Sequence, residues 1–120
     1  MLELECPPEL SAAARAALAT SGIDEGHLTV TLVDEPRIRE LNRAHRGIDA
    51  PTDVLSFPVD ETRPTPGPRE LGDVVICPAY TQDLEEATVH GVLHLLGMDH
   101  ETDGGEMLAL QDRVVGELRT

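Results

Sequence analysis

The stretch HGVLHLLGMDH at residues 90–100 decides how the rest of the chain is interpreted. His90 and His94 are four residues apart and therefore lie on one face of a helix, one turn from each other. Gly97 interrupts that helix, and because glycine tolerates positive φ the chain can turn back there and bring His100 towards the same point. The spacing therefore predicts three imidazoles around one ion.

Three neutral imidazoles with one open position form a catalytic type of zinc site, since structural zinc ions have four protein ligands. We therefore expect one Zn²⁺ held by His90, His94 and His100, an ion that acts as a Lewis acid in hydrolysis. The alternative is that the first two are core histidines and that His100 caps the helix end. Two imidazoles without partners in so apolar a helix are costly to bury, which favours the metal.

Gly91 is the main departure from a known zinc pattern. The stretch is similar to the HExxHxxGxxH signature of metzincin peptidases, in which the glutamate is the general base, but here glycine takes its place. Without that glutamate, hydrolysis of peptides is disfavoured. Glycine in a helix interior costs about 1 kcal/mol relative to alanine, so a close contact is expected at this position.

Apolar periodicity around this stretch predicts a small mixed sheet packed with helices. The order is strand, helix, strand, helix, strand, strand, helix, helix, which describes an α+β (α/β) fold with a four-stranded sheet. Residues 60–70, DETRPTPGPRE, contain three prolines and one glycine and are predicted to form a loop. The length of 120 residues favours a single domain over residues 1–120. The predicted strands are residues 2–5, 28–33, 53–57 and 71–76, and the predicted helices are residues 9–21, 35–45, 82–96 and 105–118.

The charge of the chain is strongly acidic, with a formal net value of −14, which argues against general affinity for nucleic acid. Residues 37–69 differ, because they hold six of the nine basic residues and five acidic ones. Every basic residue is arginine, whose guanidinium suits bidentate phosphate contacts. Arg39, Arg43 and Arg46 share one face of a predicted helix and either contact a nucleic-acid backbone or form surface ion pairs.

Composition also bounds the location of the protein. No apolar run approaches the roughly 18 residues of a membrane helix, and the first residues lack the pattern of a signal peptide, so we expect a cytoplasmic protein without a membrane partner. Cys6 and Cys77 are too few for a disulfide framework and are expected to be small buried thiols.

Three blocks of the sequence resemble the YbeY family of bacterial endoribonucleases: LNRAHRGIDAPTDVLSFP at residues 41–58, LGDVVICP at 71–78 and HGVLHLLGMDH at 90–100. The resemblance implies a metzincin-like zinc hydrolase fold and a zinc-dependent, single-strand-specific endoribonuclease acting in 16S rRNA maturation and ribosome quality control. By this resemblance the family's metal ligands correspond to His90, His94 and His100. The family's arginine corresponds to Arg46, which is expected to be a catalytic residue that binds phosphate. The implied partners are single-stranded RNA, 16S rRNA, the small ribosomal subunit and ribosome-assembly proteins.

Two other functions fit the same residues. One is a metal-dependent hydrolase of a peptide or small amide, and the other is a non-catalytic ribosome-assembly protein stabilised by zinc. Asp73 and Asp99 either orient a ligand histidine through its second nitrogen or cap a helix or strand. His27 and His45 have no spacing partner and are expected to be ordinary surface residues. The interval at residues 79–88 is shorter than in the family, which predicts a more open cleft.

Overall fold

The computed structural model describes residues 2–59 and 70–120. Those ranges contain four β-strands and four α-helices, whose ends lie within two residues of the predicted ends. The predicted loop at residues 60–70 lies outside the described residues except for Glu70, which belongs to a strand. The strands are β1 (Leu2–Glu5), β2 (Gly26–Leu32), β3 (Val54–Pro58) and β4 (Glu70–Ile76), and the helices are α1 (Ser11–Ala19), α2 (Glu35–Arg46), α3 (Leu84–Leu95) and α4 (Glu106–Leu118).

The sheet has the spatial order β1-β2-β4-β3. Strands β1, β2 and β4 run parallel to one another, and β3 runs antiparallel to β4 at the edge. The predicted four-stranded mixed sheet and the α+β fold are therefore confirmed.

Alternating residues of β4 supply two separate cores. Val74 and Ile76 belong to the larger core, which α1, α3 and α4 cover on one face of the sheet. Val75 packs on the opposite face with Cys77 and with Ile38 of α2. Cys77 is 0% exposed and so is the buried thiol that was predicted, whereas Cys6 is only half-buried.

Helix α3 begins at a carboxylate cap. The Asp83 side chain accepts a hydrogen bond from the backbone N–H of Glu86 at 3.0 Å, and the Arg119 guanidinium donates to the same carboxylate at 2.6 Å. This cap explains why α3 begins two residues later than predicted. In the short interval before it, the chain forms a single 3₁₀ turn, Pro78–Tyr80.

Helix α2 is defined at both ends by the residues that the sequence suggested. Asp34 accepts from the backbone N–H of Arg37 at 3.1 Å, and Gly47 ends the helix with φ 73°. Among residues 2–59 and 70–120, no helix is long and apolar enough to cross a membrane.

Candidate metal centre

The three predicted histidines meet at one point. His90 and His94 lie one turn apart on α3, and Gly97, with φ 99°, reverses the chain so that His100 returns to them. One nitrogen from each ring lies within 4.8 Å of the other two. The ring centroids are 4.7 to 5.1 Å apart. The local fold therefore brings three potential ligand atoms together, as the spacing predicted.

Hydrogen bonds at the outer side of two rings fix their orientation. Nδ1 of His90 is 2.7 Å from Oε1 of Gln111, and Nδ1 of His94 is 3.0 Å from the carbonyl oxygen of Met98. When Nδ1 donates the proton in these bonds, Nε2 of each ring keeps its lone pair for a metal ion.

The prediction that Asp73 or Asp99 orients a ligand histidine is wrong. Asp73 is exposed within β4, and Asp99 Oδ1 accepts from the backbone N–H of Glu101 at 3.0 Å. The group beside Nδ1 of His90 is the side-chain amide of Gln111. The signal in the sequence was an amide residue on the predicted apolar face of the last helix, but nothing in the sequence showed which residue it would contact.

The residues present fit a divalent metal ion. Nδ1 of His100 is buried and has no hydrogen-bond partner within the described ranges, so this ring is not held as the other two are. Burial lowers the pKa of His94, and the neighbouring His90 lowers it further, which favours the neutral ring that binds metals. Imidazole ligands suit zinc and other first-row transition metals.

Gly91 allows α3 to pack directly on the sheet. A Cβ atom at this position would lie 2.5 Å from Cγ1 of Val74 and 2.9 Å from Cγ2 of Val54. The Ser56 hydroxyl donates to the carbonyl oxygen of Gly91 at 2.6 Å. The predicted close contact is confirmed, and a glutamate has no room at the position where metzincins carry their general base.

An open cleft of about 600 Å³ contains the histidines. Arg46, at the last position of α2, is exposed and lines the same cleft as the three histidines. Arg39 instead forms an ion pair with Asp49 at 2.9 Å, the alternative that the sequence left open. The remaining lining residues are His45, Thr52, Asp53, Val54, Leu55, Ser56, Gly97, Met98, Asp99 and Glu101.

The two histidines expected to be ordinary surface residues each contact a group that is distant in sequence. The ring of His45, which lines the cleft, lies 4.3 Å from that of Phe57 at an angle of 45°. The ring of His27 lies between two carboxylates, 3.3 Å from Glu5 and 2.7 Å from Glu70. His45 is exposed, as expected of a surface residue, whereas His27 is half-buried. Their contacts could not be predicted because the partners are distant in sequence and only the folded chain brings them close.

The fold and the site together define a class, an α+β protein with a three-histidine centre for a metal ion in an open cleft. The family profile described as Endoribonuclease YbeY matches residues 7–119. The chain belongs to this family, which confirms the resemblance in the sequence and, at the level of the family, a hydrolase that acts on RNA.

Individual relatives agree with that membership. The Endoribonuclease YbeY of Persephonella marina is 42% identical over 113 residues, covering 82% of this chain and 74% of the relative. That of Rubrobacter xylanophilus is 43% identical over 119 residues, covering 94% and 85%. The solution structure of TM1509 from Thermotoga maritima is similar with a TM-score of 0.52 and 30% identity, covering 99% of this chain and 92% of that one.

Proposed function

We propose that residues 1–120 form one catalytic domain, a zinc-dependent endoribonuclease that cleaves single-stranded RNA in the cytoplasm during 16S rRNA maturation and ribosome quality control. The observation that carries the proposal is the convergence of three histidine nitrogens within 4.8 Å in a cleft that also contains Arg46. Family membership supports RNA as the substrate.

The three histidines would hold one Zn²⁺. When bound, such an ion supplies a Lewis acid for a phosphoryl oxygen and lowers the pKa of water to about 7. His90, His94 and His100 would each contribute one ring nitrogen, and the burial that lowers the pKa of His94 favours the unprotonated ring that binds a metal ion.

Arg46 would bind the scissile phosphate. Its guanidinium offers a planar pair of donors that matches two phosphoryl oxygens, and its charge stabilises the negative charge that develops as the phosphodiester is cleaved. Arg46 belongs to the last turn of α2, whereas two of the histidines belong to α3, so the proposed phosphate ligand and the proposed metal ligands come from different helices that line one cleft.

The attacking group is either water or the ribose 2′-hydroxyl. Attack by the 2′-hydroxyl leaves a 2′,3′-cyclic phosphate, whereas attack by water leaves a terminal monophosphate. Analysis of the ends of the cleaved RNA therefore distinguishes the two routes.

Hydrolysis of peptides is the less favoured second candidate. The peptidase mechanism needs a base at position 91, and the 2.5 Å approach of a Cβ atom to Val74 leaves no space for one. Cleavage of casein by a preparation that leaves single-stranded RNA intact would support that candidate and contradict ours.

The deciding experiment compares metal content, fold and RNA cleavage in four proteins: wild type, His94→Ala, Arg46→Glu and Arg37→Glu. His94→Ala should lose both metal and cleavage. Arg46→Glu should keep metal and fold but lose cleavage. Arg37→Glu is the matched control, since Arg37 is on α2, pairs with Glu40 at 3.0 Å and does not line the cleft; it should cleave as wild type does.

Two results would contradict the proposal. Normal cleavage by Arg46→Glu would show that Arg46 is not needed to bind the scissile phosphate. If His94→Ala lowers the melting temperature while 16S rRNA processing continues in cells, the metal stabilises a non-catalytic assembly protein.

The small ribosomal subunit and assembly proteins are the proposed partners in the cell. Outside residues 37–69 the chain has three basic and 18 acidic residues, so it would repel free RNA over most of its surface. Cells that lack the protein should accumulate 16S rRNA precursors, and wild type but not Arg46→Glu should restore processing.

A further inference from the structure

Gln111 differs from the other buried polar side chains in the described part of the chain. Those side chains are Asn42, Thr88 and Gln111, at 2%, 0% and 6% exposure. Asn42 donates to the backbone carbonyl of Ala50 at 2.9 Å, and Thr88 donates to that of Leu84 at 2.8 Å. The side chains of Asn42 and Thr88 both bond to backbone carbonyls, whereas that of Gln111 contacts the side chain of His90.

Gln111 occupies a core position of α4. Its helical neighbours Met107, Val114 and Val115 are all buried, so an apolar side chain would continue this face of the helix. Burying an amide here is unfavourable unless it is hydrogen-bonded. Its Oε1 lies 2.7 Å from Nδ1 of His90, which supplies that bond.

We propose that Gln111 is a positioning residue that holds His90 in the tautomer protonated on Nδ1. An amide oxygen only accepts hydrogen bonds, so the ring proton must lie on Nδ1, and Nε2 is then free to bind a cation. This inference deepens the proposed function and rests on its metal site. It also gives α4 a part in the site, although the helix contributes no predicted ligand.

The three rings are held in different ways, which makes Gln111 the informative position. His94 contacts a backbone carbonyl, that of Met98, which substitution does not remove. Nδ1 of His100 has no partner among the residues that the structure describes. A change at Gln111 therefore alters the orientation of one ligand and leaves the other two unchanged.

The test measures the tautomer of His90 and the zinc affinity of the protein separately. Nitrogen-15 NMR of the metal-free protein near pH 8 reports which ring nitrogen is protonated, and competition with a chelator reports the affinity for zinc. Gln111→Leu removes the acceptor, Gln111→Glu keeps one, and Val115→Ala loosens the same face of α4 without touching the bond.

In the wild type and in Gln111→Glu, His90 should be protonated on Nδ1. In Gln111→Leu the ring should populate both tautomers, and zinc affinity should fall about 10- to 100-fold. Gln111→Glu should retain most of the affinity. Val115→Ala should melt at a lower temperature with the tautomer and the affinity of the wild type.

Two outcomes overturn the inference: an unchanged tautomer and affinity in Gln111→Leu, or equal losses in Val115→Ala. Its failure is distinct from failure of the proposed function. If the wild type binds no zinc, but His90 is protonated on Nδ1 in the wild type and not in Gln111→Leu, the positioning role is supported and the proposed zinc enzyme is contradicted.

Discussion

At the scale of single residues, Gly91 links the packing of the protein to its chemistry. The absence of a side chain lets α3 approach β3 and β4, and the Ser56 hydroxyl donates a hydrogen bond to the Gly91 carbonyl oxygen. The neighbouring residue, His90, is one of the three converging histidines. The position of this ring therefore depends on close contact between the helix and the sheet.

Gly91→Ala should destabilise the protein although alanine is the better helix former. Overpacking against Val74 and Val54 outweighs a propensity gain of about 1 kcal/mol, and we expect a net loss of about 1–2 kcal/mol in the free energy of unfolding. Urea denaturation measures it. Gly116→Ala is the control, since a Cβ there meets nothing within 4 Å, and it should gain about 0.5–1 kcal/mol. Equal effects at both positions would contradict the packing argument.

His27 should make stability depend on pH. Its hydrogen bond to Glu70 raises its pKa above 6.5, and the bond to Glu5 raises it further. A raised pKa means that the folded state binds the proton more tightly, so this stabilisation is present below about pH 6.5 and is lost as pH rises through the folded-state pKa.

The stability difference between wild type and His27→Gln should therefore be larger at about pH 5.5 than at about pH 9. Glu70→Gln should weaken this dependence, because it removes the main cause of the shift. A difference that grows with pH would show that the ring is not stabilised as a cation.

At the scale of elements, most helices and strands were predictable and their arrangement was not. Caps and breakers are local signals, which is why Asp34 and Gly47 placed both ends of α2 almost correctly. The antiparallel pairing of β3 with β4 depends on contacts between segments distant in sequence. The same holds for the Gln111 contact with His90 and for the partners of His27 and His45.

The cap of α3 should contribute measurably to stability. Asp83→Ala removes both the bond to the Glu86 N–H and the ion pair with Arg119, and we expect a loss of about 1–2 kcal/mol at pH 7. Asp83→Asn keeps a capping oxygen and should lose less. Chemical denaturation of the two variants compares the two contributions.

The same cap has an acid-dependent part. The Arg119 guanidinium, followed by the Glu86 N–H, lowers the pKa of Asp83 below 3.8. The stabilisation is therefore present above that pH and is lost as pH falls through the folded-state pKa. The difference between wild type and Asp83→Asn should shrink at about pH 3, and a constant difference would contradict this assignment.

At the scale of the whole molecule, an acidic protein must bind a polyanion. The formal net charge is −14, and the arginine of the cleft, Arg46, belongs to the 37–69 region that holds six of the nine basic residues. Binding of RNA should therefore depend on a few local phosphate contacts and not on the overall field.

Salt titration counts those contacts. For single-stranded RNA and metal-free protein, the logarithm of affinity should fall with that of salt concentration by about 0.7 per phosphate contacted. Arg46→Gln should reduce the magnitude of this slope by about 0.7, the value for one phosphate contact, whereas Arg37→Gln should leave the slope unchanged. Equal slopes for wild type and Arg46→Gln would place Arg46 off the RNA backbone.

The rate at which the buried thiol of Cys77 reacts with a labelling reagent reports motion at the cleft. Cys77 is 0% exposed beneath α2, so a thiol-labelling reagent reaches it only when α2 separates from the sheet, whereas the half-buried Cys6 reacts sooner. Because α2 ends at Arg46, the rate of the slow labelling phase measures how often the helix that carries this arginine separates from the sheet. An RNA ligand that holds Arg46 in place should lengthen that phase.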